Sequence, residues 1–267
     1  MADNKLDDSA RIITYGYNSK PFSFLGIQPP PGQMTIEELA TNLMQSIATR
    51  RRGHEGRPLI FIAHSLGGIL VKSALVESTK VRPDIANSCV AIFFFGTPHS
   101  GSGWADKGGY VANIIKVTCT GSFKTQVLKG LSRGSEILTR ITKDFNDLLV
   151  RAQKPVPRYG IRSFIEGTGV LSWGVTGKVV DNTSSRYNRR DIEQEFTIEG
   201  ANHMDMCRFE SRKNRDYQQV VAFLEEFLDK IRKEIDQEKE IAAAEAARTA
   251  ERETEEKRVQ AEKEATG

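Results

Sequence analysis

The sequence predicts an α/β fold: a mostly parallel sheet covered by helices, extended by a charged helix at the C-terminus. Three observations carry this. LIFIA (residues 59–63) and CVAIFFFGT (89–97) are apolar runs of strand length. They lack the alternation of a half-exposed strand, as expected where both faces of a parallel sheet are covered. Helical patterns separate the strand-like segments along the chain, which calls for crossover connections. The 267 residues suffice for one sizeable domain with a real core.

The elements follow in order. RIITYGY (11–17) is β-branched and aromatic and precedes a Pro- and Gly-rich stretch, so it reads as the first strand. The stretch after it, through PPPGQ, is irregular because its prolines lack donors and fix φ. A helix starts at Thr35, where Thr35 and Glu38 have capping-box spacing and Ile36, Leu39, Leu43 and Ile47 share one face. It ends at Arg50-Arg51-Arg52 and Gly53, which suit the negative dipole end and the position beyond it. LIFIA follows, then a helix from Leu66 to about Ser78, then CVAIFFFGT. Residues 98–155 are rich in Gly, Ser and Lys, with a helical patch in SEILTRITKDFNDLLV. GIRSFIEG (160–167) reads as a buried strand, TGKVVD (176–181) as a short extended piece, EFTIEG (195–200) as the last strand and residues 217–231 as an amphipathic helix. After about Ile235 the chain is almost entirely Ala, Glu, Lys and Arg, with recurring Glu–Lys and Glu–Arg pairs but no apolar heptad seam. This gives a polar, disordered N-terminus (1–10), a core domain (11–235) and a charged helical tail (236–267), which reads as a solvated helix or as a partner-binding one.

Composition narrows the function classes. A net charge of +3 gives no case for nucleic acid as a partner. Cys89, Cys119 and Cys207 have no metal-like spacing and read as free thiols in a reducing compartment, and no metal or organic cofactor is implied. The apolar runs fall far short of the roughly 20 residues of a membrane span. The first residues resemble neither a secretory signal nor a transit peptide, so the chain reads as soluble and intracellular.

The chemistry centres on Ala63-His64-Ser65-Leu66-Gly67-Gly68. A sharp turn from a parallel strand into a helix lifts one side chain above the sheet, and the crowded backbone there demands small neighbours; this is the pattern G-x-S-x-G, here with Ala first. A serine in an ordinary β–α turn leaves the flanking small residues unexplained. Such a serine needs a base. His54 sits in a polar loop, and His64 should point away from Ser65. His203, in EGANHMDMCRF after the last strand, fits the order Ser, acid, His; His99 is the alternative. The acid that orients His203 is Glu166, ending RSFIE, or Asp181, ending KVVD, while Asp205 is close enough to His203 to serve local backbone instead. The amide of Leu66 supplies one oxyanion donor. Trp104, Tyr110, Ile114 and Phe123, in a cap or lid region at about 100–155, form either an apolar wall for an acyl chain or the cap's own core.

AHSLGGILVKSAL, FFFGTPHSGS, SFIEGTG with VVDNTSS, and ANHMDMCRF, in that order, resemble a serine esterase/lipase family that includes the animal serine-active-site-containing protein and many fungal relatives. The chain is more distantly similar to GPI inositol-deacylases and to bacterial lipases with an Ala-variant elbow. The resemblance covers residues 11–230. It implies an α/β-hydrolase fold, Ser65 and His203 as catalytic residues, Glu166 or Asp181 as the acid, and hydrolysis of an acyl ester or lipid. It also implies peripheral membrane association and links to mitochondria or endoplasmic reticulum. Two departures stand out. Family members carry an upstream strand ending in an HG-type loop that gives the second oxyanion donor, and only ten residues, most of them polar, precede Arg11. Relatives also tend to have an aromatic residue before the Glu, where this chain has Ile165. The first departure keeps a second reading in play, a degenerate hydrolase acting as a binding or signalling module whose partner docks on the C-terminal helix.

Overall fold

The computed structural model describes residues 10–17, 34–99, 131–151, 159–168 and 192–266. Helix α1 (Ile36–Arg50) leads into β1 (Leu59–His64), α2 (Leu66–Val81), the short α3 (Pro83–Ser88), β2 (Cys89–Phe95), α4 (Leu131–Arg151), β3 (Gly160–Glu166), β4 (Glu193–Ile198) and α5 (Arg215–Thr266). The four strands form one sheet in the order β1-β2-β3-β4, every pair parallel. The chain forms two compact units, residues 1–219 and 220–267.

The local signals act as the sequence predicts. Thr35 accepts the Glu38 amide and Glu38 accepts the Thr35 amide, so the capping box closes. Ile36, Leu39, Leu43 and Ile47 are buried, and their face packs on Leu66, Ile69, Leu70 and Ala74 of α2. On the sheet, Ile92, Phe94 and Ile161 join Val71 and Leu75 of α2 and Phe145 and Leu149 of α4 in a second core cluster. Alternate side chains point to the other face, where Phe93 and Phe95 stack on Phe164, and Phe196 meets Phe164 edge-on. The strand CVAIFFF is therefore buried on both sides, as its unbroken apolar run predicts.

Two expectations need correction, and one short helix is an addition. RIITYGY is not a strand: residues 11–14 are exposed, and only Tyr15 and Tyr17 rest against the α1–α2 cluster. β-propensity expresses fit to a neighbouring pleated surface, and no described strand lies beside this segment to supply one. LIFIA is not covered on both faces, since Ile62 is 57% exposed. Among the described residues β1 pairs only with β2 and so forms an edge. Helix α3 was not expected; Pro83 at its start fixes a helical φ where no donor is needed. TGKVVD, Cys119 and the apolar residues of the cap region lie outside the described residues.

Candidate active site

The carboxyl ends of the strands are laced together one step beyond the sheet. Ser65 N–H donates to the Phe95 carbonyl, and Gly96 N–H to the Phe164 carbonyl. Gly167 N–H reaches the Ala201 carbonyl. Three loops and one elbow are thus held at fixed heights above one sheet edge.

Ser65 sits between β1 and α2 with φ 54° and ψ −128°, the one non-glycine residue at positive φ among those described. Such a conformation costs of order 1–3 kcal/mol and persists only where its surroundings impose it. A serine at a helix N-cap ordinarily accepts an amide of the first turn, yet Ser65 makes no such bond. Its hydroxyl lies instead 2.8 Å from His203 Nε2. On the far side of the ring, Nδ1 lies 2.7 Å from Glu166 Oε1. A carboxylate accepts only, so Nδ1 carries the proton and Nε2 is left to accept from Ser65. Glu166 and His203 are fully buried. Glu166 reaches the pair because β3 and β4 run in register, placing its strand end beside Ile198 and the turn that carries His203.

That turn is knit around Asn202, whose side-chain oxygen accepts the amides of Met204 and Asp205. Asp205 accepts from Asn202 Nδ2 at 2.8 Å and pairs loosely with Arg208, so it serves local side chains rather than backbone. His54 is exposed, as expected. His99 is buried edge-on against Phe94, and burial followed by nearby Lys72 holds its pKa well below the usual histidine range. His203 thus occupies the place beside Ser65 for which His99 was the alternative. Asp181 lies outside the described residues.

The His64 ring meets the turn that carries His203. Its Nε2 lies 2.8 Å from the backbone oxygen of His203, with the two rings 4.9 Å apart. Burial, then the neighbouring His203, lowers its pKa from 6.5 to about 4. Between these values the unfolded chain binds a proton that the folded chain refuses. This contribution to stability is intact above pH 6.5 and is lost as pH falls towards 4, by about 3 kcal/mol in all. His99 acts in the same direction. Thermal unfolding followed between pH 6.5 and 5 should show a falling melting temperature, with a shallower slope in His64→Gln.

Two supporting residues were missed in the sequence. Thr97 donates its hydroxyl to the Ser65 carbonyl at 3.0 Å, and fully buried Lys72 donates to the Pro98 carbonyl at 2.9 Å. Together they tie the loop after β2 to the elbow. The small elbow residues now have physical reasons. A Cβ on Gly67 would stand 3.3 Å from the Tyr17 hydroxyl, and one on Gly68 would stand 2.2 Å from Thr97 Oγ1. Gly68→Ala should therefore destabilise the protein by about 1–3 kcal/mol through overpacking. Thr97→Gly in the same chain should recover much of that, so denaturant unfolding of both singles and the double would show strong coupling.

The first N–H groups of a helix have no intrahelical partner, so the Leu66 amide at the start of α2 can bind an anion formed at Ser65. Among the described residues no cluster of three or more His, Cys, Asp or Glu could hold a metal, and no helix is long and apolar enough to cross a membrane. Serine after β1, the carboxylate ending β3 and histidine after β4, on a parallel sheet, make this an α/β-hydrolase-type sheet.

No family model matches the chain. Among curated proteins it is similar to bovine Protein SERAC1, 26% identical over 224 residues, which is 82% of this chain and 31% of that protein. The mouse Protein SERAC1 is 32% identical over 140 residues, 51% of this chain and 20% of that protein. The chain thus spans less than a third of the length of either relative. Among solved structures, a lipase-esterase related protein from Clostridium acetobutylicum aligns with TM-score 0.39 and 12% identity over 76% of this chain and 80% of that one. An esterase from Thermogutta terrifontis aligns with TM-score 0.39 and 15% identity over 76% and 75%. Both structural likenesses are weak.

Proposed function

We propose that the chain is a serine hydrolase that cleaves acyl esters through Ser65, His203 and Glu166. The observation that carries this is the strained Ser65, whose hydroxyl forgoes its helix cap and meets His203 at 2.8 Å, while Glu166 holds the other ring nitrogen at 2.7 Å. A capping or packing role explains neither the strain nor the direction of the hydroxyl.

In this reading His203 Nε2 takes the Ser65 proton as Oγ attacks the ester carbonyl. Glu166 fixes the tautomer and stabilises the imidazolium that forms. The Leu66 amide binds the oxyanion. The imidazolium returns the proton to the leaving alcohol as the tetrahedral centre collapses to an acyl-enzyme. Water, activated by the same His203, then attacks the acyl carbon, and the carboxylic acid leaves as Ser65 regains its proton. No metal enters these steps. Lipids are the proposed natural esters, the substrate class implied by the resemblance of AHSLGG, GTPHSGS and ANHMDMCRF to the serine esterase/lipase family.

A second reading, a binding module with a silent site, is favoured by one observation. Among the described residues β1 pairs only with β2 and forms the sheet edge, so a further strand whose loop would carry a second oxyanion donor is not among them. Loss of one oxyanion donor costs about 10²–10³ in turnover. Hydrolysis of p-nitrophenyl esters of graded acyl length separates the two. Turnover that is lost in Ser65→Ala supports the hydrolase. No turnover by folded protein at any chain length supports the binding module.

A further inference from the structure

Ser65 and His64 are consecutive residues, yet each reaches His203 from a different side. Ser65 meets the ring at Nε2, and His64 meets the backbone oxygen of the same residue at 2.8 Å. The two elbow residues belong to β1 and the turn after it, whereas His203 sits 138 residues away from Ser65, in the turn after β4. β1 and β4 are not neighbours in the sheet; β2 and β3 lie between them. The His64 bond is thus a direct tie between the nucleophile's element and the base's turn that bypasses two strands.

We propose that His64 is a positioning residue for His203, its Nε2–H fixing the backbone from which the base projects. Several observations favour this over simple filling of space. An apolar residue of similar size would pack as well, but would leave the His203 carbonyl without this donor in a part-buried setting. The turn's own bonds, from Asn202 to Met204 and Asp205, shape the loop but do not tie it to β1. A reacting pair misplaced by about 1 Å can lose on the order of 10²-fold in rate, so a tie spanning two strands has a large lever. Because burial keeps His64 neutral at ordinary pH, the tie adds no positive charge beside a ring that must itself become cationic during acyl transfer. The proposal rests on the hydrolase reading for its kinetic consequence but not for its structural one.

The test compares His64→Phe, which keeps a ring and loses the donor, with His64→Gln, which restores an N–H of similar reach. His64→Met serves as a second donor-free variant should the Phe side chain prevent folding. Three quantities are read: kcat and KM on p-nitrophenyl butyrate, the melting temperature, and the downfield NMR resonance of the His203 Nδ1 proton that bonds Glu166. The donor-free variants should lose about 10-fold or more in kcat with KM nearly unchanged, and His64→Gln should recover most of it. The His203 resonance should broaden in Phe and Met and return in Gln. Wild-type kcat and an unchanged resonance in a donor-free variant would overturn the proposal, as would a kcat loss that Gln does not rescue. If the wild-type protein hydrolyses no ester, the hydrolase reading fails by itself, and the resonance alone then decides whether His64 positions His203.

Discussion

Ser65→Ala and His203→Ala are each expected to reduce ester turnover by about 10⁴-fold or more, with little loss of fold. The reason lies in how the three side chains depend on one another. Without Oγ there is no nucleophile at the head of the elbow. Without His203 the Ser65 hydroxyl has no acceptor for its proton at 2.8 Å. The double variant should be no worse than either single, because each already abolishes the same step. Glu166→Gln is the more discriminating change. The amide can donate to Nδ1, which moves the ring proton to Nε2 and turns the acceptor that Ser65 needs into a donor. A loss approaching 10⁴-fold is expected there with the geometry preserved. A Glu166→Gln variant with nearly full turnover would mean that another carboxylate does the orienting, and Asp181 would be the residue to try next.

Gly96→Ala is expected to impair turnover by about 10²-fold although residue 96 does no chemistry. Gly96 has φ 52°, where an added Cβ is strained, and that Cβ would stand 2.8 Å from Met206 Sδ and 3.0 Å from His203 Nδ1. Met206 is fully buried, and Nδ1 is the atom bonded to Glu166, so neither neighbour can yield without cost. The backbone strain and the overlap together should destabilise the protein by about 1–3 kcal/mol. The larger effect should fall on kcat, because the methyl pushes His203 away from Ser65 and Glu166 at once. Parallel melting and kinetic measurements would check the split. Equal kcat in wild type and Gly96→Ala would mean that the seat of His203 is softer than these contacts imply.

How much of this was legible beforehand depends on the range of each interaction. Ser65 could be read from the chain because its signal is local: an apolar strand, a sharp turn and a helix with small residues on both sides. His203 followed from chain order, once a serine elbow was granted. The choice between Glu166 and Asp181 could not be made, because it depends on the alignment of β3 with β4 and on the reach of the turn after β4. The contacts of His64, Lys72 and Thr97 were hidden for the same reason. Each joins segments that are distant in sequence, and a lysine in an amphipathic pattern gives no hint that its ammonium is fully buried on a carbonyl. RIITYGY shows the opposite failure. Its composition suits a pleated sheet, but composition cannot supply the neighbouring strand that would make it one. Ile62 misled in a similar way, since an unbroken apolar run reads as buried on both faces whether or not a neighbour covers it.

The central claim is that Ser65 is an activated nucleophile, and covalent labelling with a fluorophosphonate tests it most directly. Intact mass and peptide mapping of the labelled protein should show one adduct, on Ser65, that is absent from Ser65→Ala and nearly absent from a folded His203→Ala. Folded wild-type protein that takes up no label, or a label that persists in Ser65→Ala, would contradict the account.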